Sequence, residues 1–152
     1  MNLSIRSRPA LRVVLVAAGA ALMLTTLVGC SEDKETVASW SKTGGQKHIS
    51  AIGADVTTLI QVSDPLGADP TIAPRCTQVL DDVKTAKAYR KLPDESARTS
   101  WEETLDRVET AASHCLRNVK AGSGGASLVE ASDAQISFHE FVRQFELARS
   151  QP

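Results

Sequence analysis

The sequence predicts an all-α domain, and three observations carry that expectation. Four stretches repeat their apolar residues at helical spacing. Pro and Gly punctuate the joints between them. No stretch alternates polar and apolar residues as a half-buried strand would. Composition points the same way, because aromatics make up only 4% of the chain while Ala is its commonest residue and Leu is frequent.

The first helix is expected from Gln46, where Ile49, Ile52, Val56, Leu59 and Ile60 fall on one face. Asp64-Pro65 stops it and Gly67 helps the turn. Asp69-Pro70 starts a second helix near Thr71, with Ile72, Cys76, Val79, Leu80 and Val83 as its apolar face. Pro93-Asp94-Glu95 breaks the chain and opens the third. Proline suits a first turn, and acids favour the positive end of the helix dipole.

The third helix has the clearest stripe. Trp101, Leu105, Val108, Ala112, Cys115 and Val119 step by four, three, four, three and four, a seam that faces one neighbouring groove. Gly122-Ser123-Gly124-Gly125 ends it in a flexible loop. The last helix runs from about Ser127 to Arg149, with Phe138, Phe141, Val142, Phe145 and Ala148 on its face. Four helices with one apolar stripe each must bury them against one another. The expected architecture over residues 46–152 is therefore an antiparallel four-helix bundle.

Residues 1–29 read as a leader rather than as part of the fold. Arg6, Arg8 and Arg12 form a basic start, and an apolar run from Val13 to Val28 follows. That run, of about 16 residues, is shorter than the ~20 needed to cross a bilayer comfortably. Leu27-Val28-Gly29-Cys30 closes it and resembles the lipobox of bacterial prolipoproteins. That resemblance implies a diacylglyceryl thioether on Cys30 and cleavage between Gly29 and Cys30. The small Gly29 leaves room for the peptidase beside the lipid. Two acyl chains give stable anchoring where one would be marginal. An ordinary secretory signal and a retained transmembrane anchor are the competing readings. Residues 30–45 are expected to be the lipidated N-terminus and a flexible tether ending at Gly44-Gly45. The helix could also begin near Asp33, with the two glycines a weak point inside it. Trp40 would either rest at the lipid headgroups or pack on the end of the domain.

Removing the leader leaves Cys76 and Cys115 as the remaining cysteines, in an oxidising compartment where pairing is expected. In antiparallel neighbouring helices, residues equidistant from the turn sit at equal height. The midpoint of 76 and 115 falls on the Pro93-Asp94-Glu95 break, and both cysteines lie on an apolar stripe, as a disulfide requires.

Three of the 17 basic residues and none of the 18 acidic ones lie in the leader, so residues 30–152 carry 14 against 18, a net charge of −4. That balance argues against nucleic acid as a partner and gives no polybasic patch for anionic lipid headgroups. Chemical motifs are missing as well. His139-Glu140 resembles the start of a zinc-peptidase helix, but Arg143 stands where the second histidine would be. His48 and His114 have no partner nameable from spacing. Two thiols without nearby histidines do not complete a metal site. No Gly-x-Ser-x-Gly elbow or phosphate loop is present. The adjacent acids Asp81-Asp82 and Glu102-Glu103 do not face each other on a helix and read as solvated faces. No catalytic residue, cofactor or metal is expected.

Taken with the lipobox, Trp40 followed by Gly44-Gly45, Cys76, Pro93-Asp94, Trp101 and Cys115 make the chain resemble a group of small actinobacterial lipoproteins. The resemblance implies a helical domain with one cysteine pair and brings no activity with it. The expected function is a membrane-anchored, extracytoplasmic binding or interaction module. Its partner would be an envelope protein or ligand, with the membrane engaged through Cys30. The alternative is a small-ligand carrier whose apolar pocket is lined by Trp101, Phe138, Phe141 and Phe145. Cys30→Ala should abolish acyl labelling and leave the leader attached, which intact-mass analysis would read directly; labelling that persists would contradict the assignment.

Overall fold

The computed structural model describes residues 35–63 and 69–151. The leader with Gly29 and Cys30, and the Asp64-Pro65 stop with Gly67, lie outside them. The described residues form a helical bundle without a strand. Its elements are α1 (Val37–Trp40), α2 (Gln46–Gln61), α3 (Ile72–Ala88), α4 (Glu95–Ala121) and α5 (Leu128–Arg149).

The helical body begins at Val37, so residues 37–45 are ordered rather than a tether, close to the alternative start near Asp33 with the glycines inside; residues 30–34 lie outside the described residues. The Thr36 hydroxyl accepts from the Ser39 amide at 3.1 Å and caps α1. The segment Ser41–Gly45 then kinks at Gly44 and carries the chain into α2. Gly44 sits at φ 138°, which only glycine adopts without strain, and a Cβ there would lie 2.9 Å from the Tyr89 hydroxyl. A Cβ on Gly45 would overlap the Trp40 ring. The glycine pair therefore does not end an ordered region. It opens the helix enough for a large ring to fold beneath it, and burial of that ring outweighs the glycines' helix-breaking tendency. Trp40 is 1% exposed.

The predicted stripes are largely the buried ones, with Ile60, Leu80 and Val119 half-buried against the core. In α2 they are Ile49, Ile52, Val56 and Leu59; in α3, Ile72, Cys76, Val79 and Val83. In α4 they are Trp101, Leu105, Val108, Ala112 and Cys115. In α5, Phe141 and Phe145 are buried as expected, joined by Ala131 and Ala134, while Phe138, Val142 and Ala148 are half-buried against the core. The small alanines let α5 approach its neighbours closely.

The joints follow local chemistry. Asp69 accepts from the Thr71 amide at 2.8 Å and from its hydroxyl at 2.7 Å, shaping the turn into α3. Pro74 falls in the first turn of α3, where no intrahelical amide bond is lost. Asp94 caps α4 by accepting from the Ala97 amide at 2.8 Å. Gly122 ends α4 in the left-handed region (φ 70°), and the Ser123 amide donates back to the Asn118 carbonyl at 2.9 Å.

α4 packs on α3 and α5, and α2 packs on α3, α5 and, less extensively, α4. The sulfurs of Cys76 and Cys115 join α3 to α4 at a Cα–Cα distance of 6.3 Å. Nearer the joint, the Lys87 ammonium contacts Asp106 and Glu109 at 2.6 Å each. Across the other face of α4, the rings of Trp101 and Phe141 lie 4.6 Å apart and Ser96 donates to Gln144 at 3.4 Å.

Cys115→Ser should lower stability by up to about 4 kcal/mol on the loop-entropy account and leave the Cys76 thiol reactive on unfolding; an unchanged melting temperature would mean no bridge. Gly45→Ala should cost about 1–3 kcal/mol through overpacking against Trp40, read by urea denaturation.

Candidate functional site

The aromatic residues singled out from sequence come together as a packed stack. Phe141 lies at 4.6 Å from Trp101, 6.3 Å from Phe138 and 5.7 Å from Phe145, measured between ring centres. Trp40 meets Phe145 edge-on at 6.3 Å. Phe138 covers Gly53 of α2, where a Cβ would come within 2.9 Å of the ring. The rings pack against one another, and Trp101 also lines a surface cavity.

That cavity, of about 320 Å³, lies in the corner between α3 and α4. Its apolar floor is Ala86, Leu92, Trp101 and Leu105, and Tyr89 stands at its side. Lys87, Arg90, Lys91 and Arg98 crowd the rim, with Glu102 and Asp106 as opposing charges. The corner has no regular backbone hydrogen bonding of its own between Tyr89 and Asp94, so side chains hold it. The Trp40 indole N–H donates to the Arg90 carbonyl at 2.8 Å, and the Tyr89 hydroxyl donates to the Thr43 carbonyl at 3.0 Å. Arg90 is ion-paired with Glu35 at 2.8 Å. Arg98 donates to the Leu92 carbonyl at 3.3 Å. Lys91 and Arg98 have no acidic partner among the described residues.

No family model matches the chain. No curated protein and no solved structure matches it either. The reading of the site therefore rests on its geometry.

The histidines do not assemble a catalytic set. His48 stacks on Tyr89 at 4.6 Å between ring centres; burial lowers its pKa, Lys47 adds to the shift and Asp82 opposes it. His114 contacts Glu130 across α4 and α5 through its Nδ1. Burial raises the Glu130 pKa, Asp133 adds to the shift and Arg117 opposes it. A shallow groove of about 390 Å³ runs beside this pair, lined by Glu103, Asp106, Arg107, Thr110, Glu130 and Asp133. His139 is exposed, and its neighbour Glu140 is held by Arg143 at 2.6 Å and Gln144 at 2.9 Å. Glu140 thus serves a surface ion pair. Among the described residues no group of three or more His, Cys, Asp or Glu could hold a metal ion. No helix among them is long and apolar enough to cross a membrane.

One buried group was not expected. Asp55 of α2 is 6% exposed, and its Oδ2 has no hydrogen-bond partner. Burial raises its pKa to about 7, and the charge of Asp82 on α3 adds to the shift. The spacing carried a signal for it. Asp55 falls three residues after Ile52 and four before Leu59, inside the apolar stripe. The basic corner had no such signal, because its cations are unremarkable singly and meet only once α1, α3 and α4 are placed.

The pH behaviour of Asp55 has a definite sign. Its carboxyl titrates near 3.8 when unfolded and near 7 when folded, so folding favours the proton. That stabilisation is complete below the unfolded value and is lost as pH rises through the folded one. Asp55→Asn should match the wild type in melting temperature near pH 4 and exceed it at pH 8; parallel pH profiles would show that Asp55 ionises normally.

Proposed function

We propose that the chain is a lipid-anchored, extracytoplasmic interaction module whose recognition is done by its outer surface. The packing of the aromatic stack carries this reading. Trp101, Phe138, Phe141 and Phe145, the residues that would have lined an interior ligand pocket, spend their surfaces on one another. What remains for binding is the corner between α3 and α4 and the exposed sides of the helices.

The reading includes an antiparallel, up-and-down bundle. Its support is the order of cross-helix pairs. Cys76 meets Cys115 and Lys87 meets Asp106, so numbers rise along α3 as they fall along α4. Ser96 meets Gln144 and Thr104 meets Ser137, the same relation for α4 and α5. The anchor is Cys30 at the end of its lipobox, as in the small actinobacterial lipoproteins that the chain resembles. With α1 starting at Val37, the linker after Cys30 is short, and the domain stays close to the bilayer.

Crosslinking in intact cells followed by isolation of the protein should enrich a defined envelope partner over an unrelated lipoprotein. Native mass spectrometry of the purified protein should show the bare chain with its acyl groups. A stoichiometric small molecule retained in that spectrum, or no enrichment over the control, would overturn the reading.

A further inference from the structure

We infer that the outward face of α5 is a self-association surface, on which a second copy of this chain lays its own α5 antiparallel. The inference stands on the described residues alone and does not depend on an anchor at Cys30.

The distribution of exposed apolar residues is the first ground. Among the described residues the large apolar side chains left open to solvent are Leu128, Val129, Ile136 and Leu147, at 51–70% exposure, and all four lie on α5. At about 100° per residue, Val129, Ile136 and Leu147 fall within about 20° of one line along the helix, over about 27 Å. Ala131, Ala134, Phe141 and Phe145, which are buried, lie on the opposite side. Single apolar side chains on a surface are ordinary. A helix with an apolar line on each side has the pattern of one covered on both.

Self-complementarity is the second ground, and it names the occupant. Asp133, Glu140 and Arg143 share the line with the apolar residues. The line mirrors about Phe138: Val129 answers Leu147, Asp133 answers Arg143, and Ile136 answers Glu140. A two-fold axis level with Phe138 therefore sets Val129 of each copy against Leu147 of the other, and Asp133 against Arg143. The two Ile136 side chains flank the axis, about 6 Å apart along the helix. A parallel arrangement would oppose like charges at Asp133 and again at Arg143, so charge selects the antiparallel one.

The groups on the line are free to make these contacts. Asp133 has no ion-pair partner among the described residues, and Arg107, which lines the same shallow groove, is bound to Glu103 at 3.3 Å. Arg143 holds Glu140 through its Nε at 3.0 Å and one terminal nitrogen at 2.6 Å, and its other terminal nitrogen suits a second carboxylate. The two Glu140 carboxylates near the axis are each neutralised by that bidentate pair, with Gln144 donating at 2.9 Å. A helix face of about 33 Å by 10 Å falls short of the roughly 800 Å² per partner of a standard interface, so the dimer exchanges with monomer.

Sedimentation equilibrium of the purified full chain in density-matched detergent should show monomer and dimer in concentration-dependent balance. Ile136→Glu should raise the dimer dissociation constant about 100-fold, tenfold for each of its two copies. Asp133→Arg and Arg143→Asp should each raise it about fivefold. Both reversals in one chain should restore it, because the swapped charges still meet across the axis. A wild type that stays monomeric at millimolar concentration overturns the inference and leaves the face to a different partner. Dimer that survives Ile136→Glu, or two charge reversals that add instead of cancelling, also overturns it. If Ile136→Glu loses helical circular dichroism, the charge reversals decide. Acyl labelling at Cys30 is read separately, so the anchored reading stands or falls on its own.

Discussion

The buried Trp40 ring is the constraint on which the N-terminal edge of the domain depends. It packs under Gly45, meets Tyr89 at 5.6 Å and Phe145 at 6.3 Å, and donates its one N–H to the Arg90 carbonyl. One side chain therefore joins α1, the α3–α4 corner and α5. A buried indole needs a partner for that N–H, and a corner without regular secondary structure has carbonyls to offer. Each feature answers the other's requirement. Without the ring, the turn at Ser41–Gly45 would be a glycine-rich segment with little reason to be ordered.

The disulfide plays the matching part between α3 and α4. A chain of this size has few large residues for its core, and several buried positions in α4 and α5 are alanines. Small residues permit close approach of helices but bury little area each. A covalent link near the end of the α3–α4 seam remote from the joint compensates by restricting the unfolded chain. Thr104, fully buried on α4, satisfies its hydroxyl on the Ser100 carbonyl at 2.8 Å and sits 3.2 Å from the Ser137 hydroxyl. The hydroxyl of the seam is thus satisfied, whereas Asp55 on α2 and Glu130 on α5 each keep a buried carboxylate oxygen without a hydrogen-bond partner.

Helix positions, joints and the cysteine pair were legible in the sequence because each is set locally. Asp94 caps α4 where Pro93-Asp94-Glu95 announced a start, and Gly122 ends it where the glycine run began. The sequence leaves the start of the domain open between a tether ending at Gly45 and a helix from near Asp33, for a physical reason. Gly44 and Gly45 are poor helix formers, and the benefit that overrides them comes from contacts with Tyr89, Arg90 and Phe145, far along the chain. The same distance hid the candidate site. Lys87, Arg90, Lys91 and Arg98 are scattered over two helices and a joint, in a chain whose net charge has the opposite sign. The aromatic stripe of α5 was legible as a stripe, but periodicity alone does not distinguish rings that pack on each other from rings that leave a space.

Both sulfurs of the Cys76–Cys115 link are shut away from solvent. An oxidant or thiol catalyst of any size has no access to them in the finished fold. The bond must consequently be made while α3 and α4 are still parted, so oxidation and final closure belong to the same stage of maturation. Once sealed, the link is shielded from ordinary reductants unless the helices separate again. Chain produced where thiols stay reduced would close over two free sulfhydryls and present a different, less durable molecule.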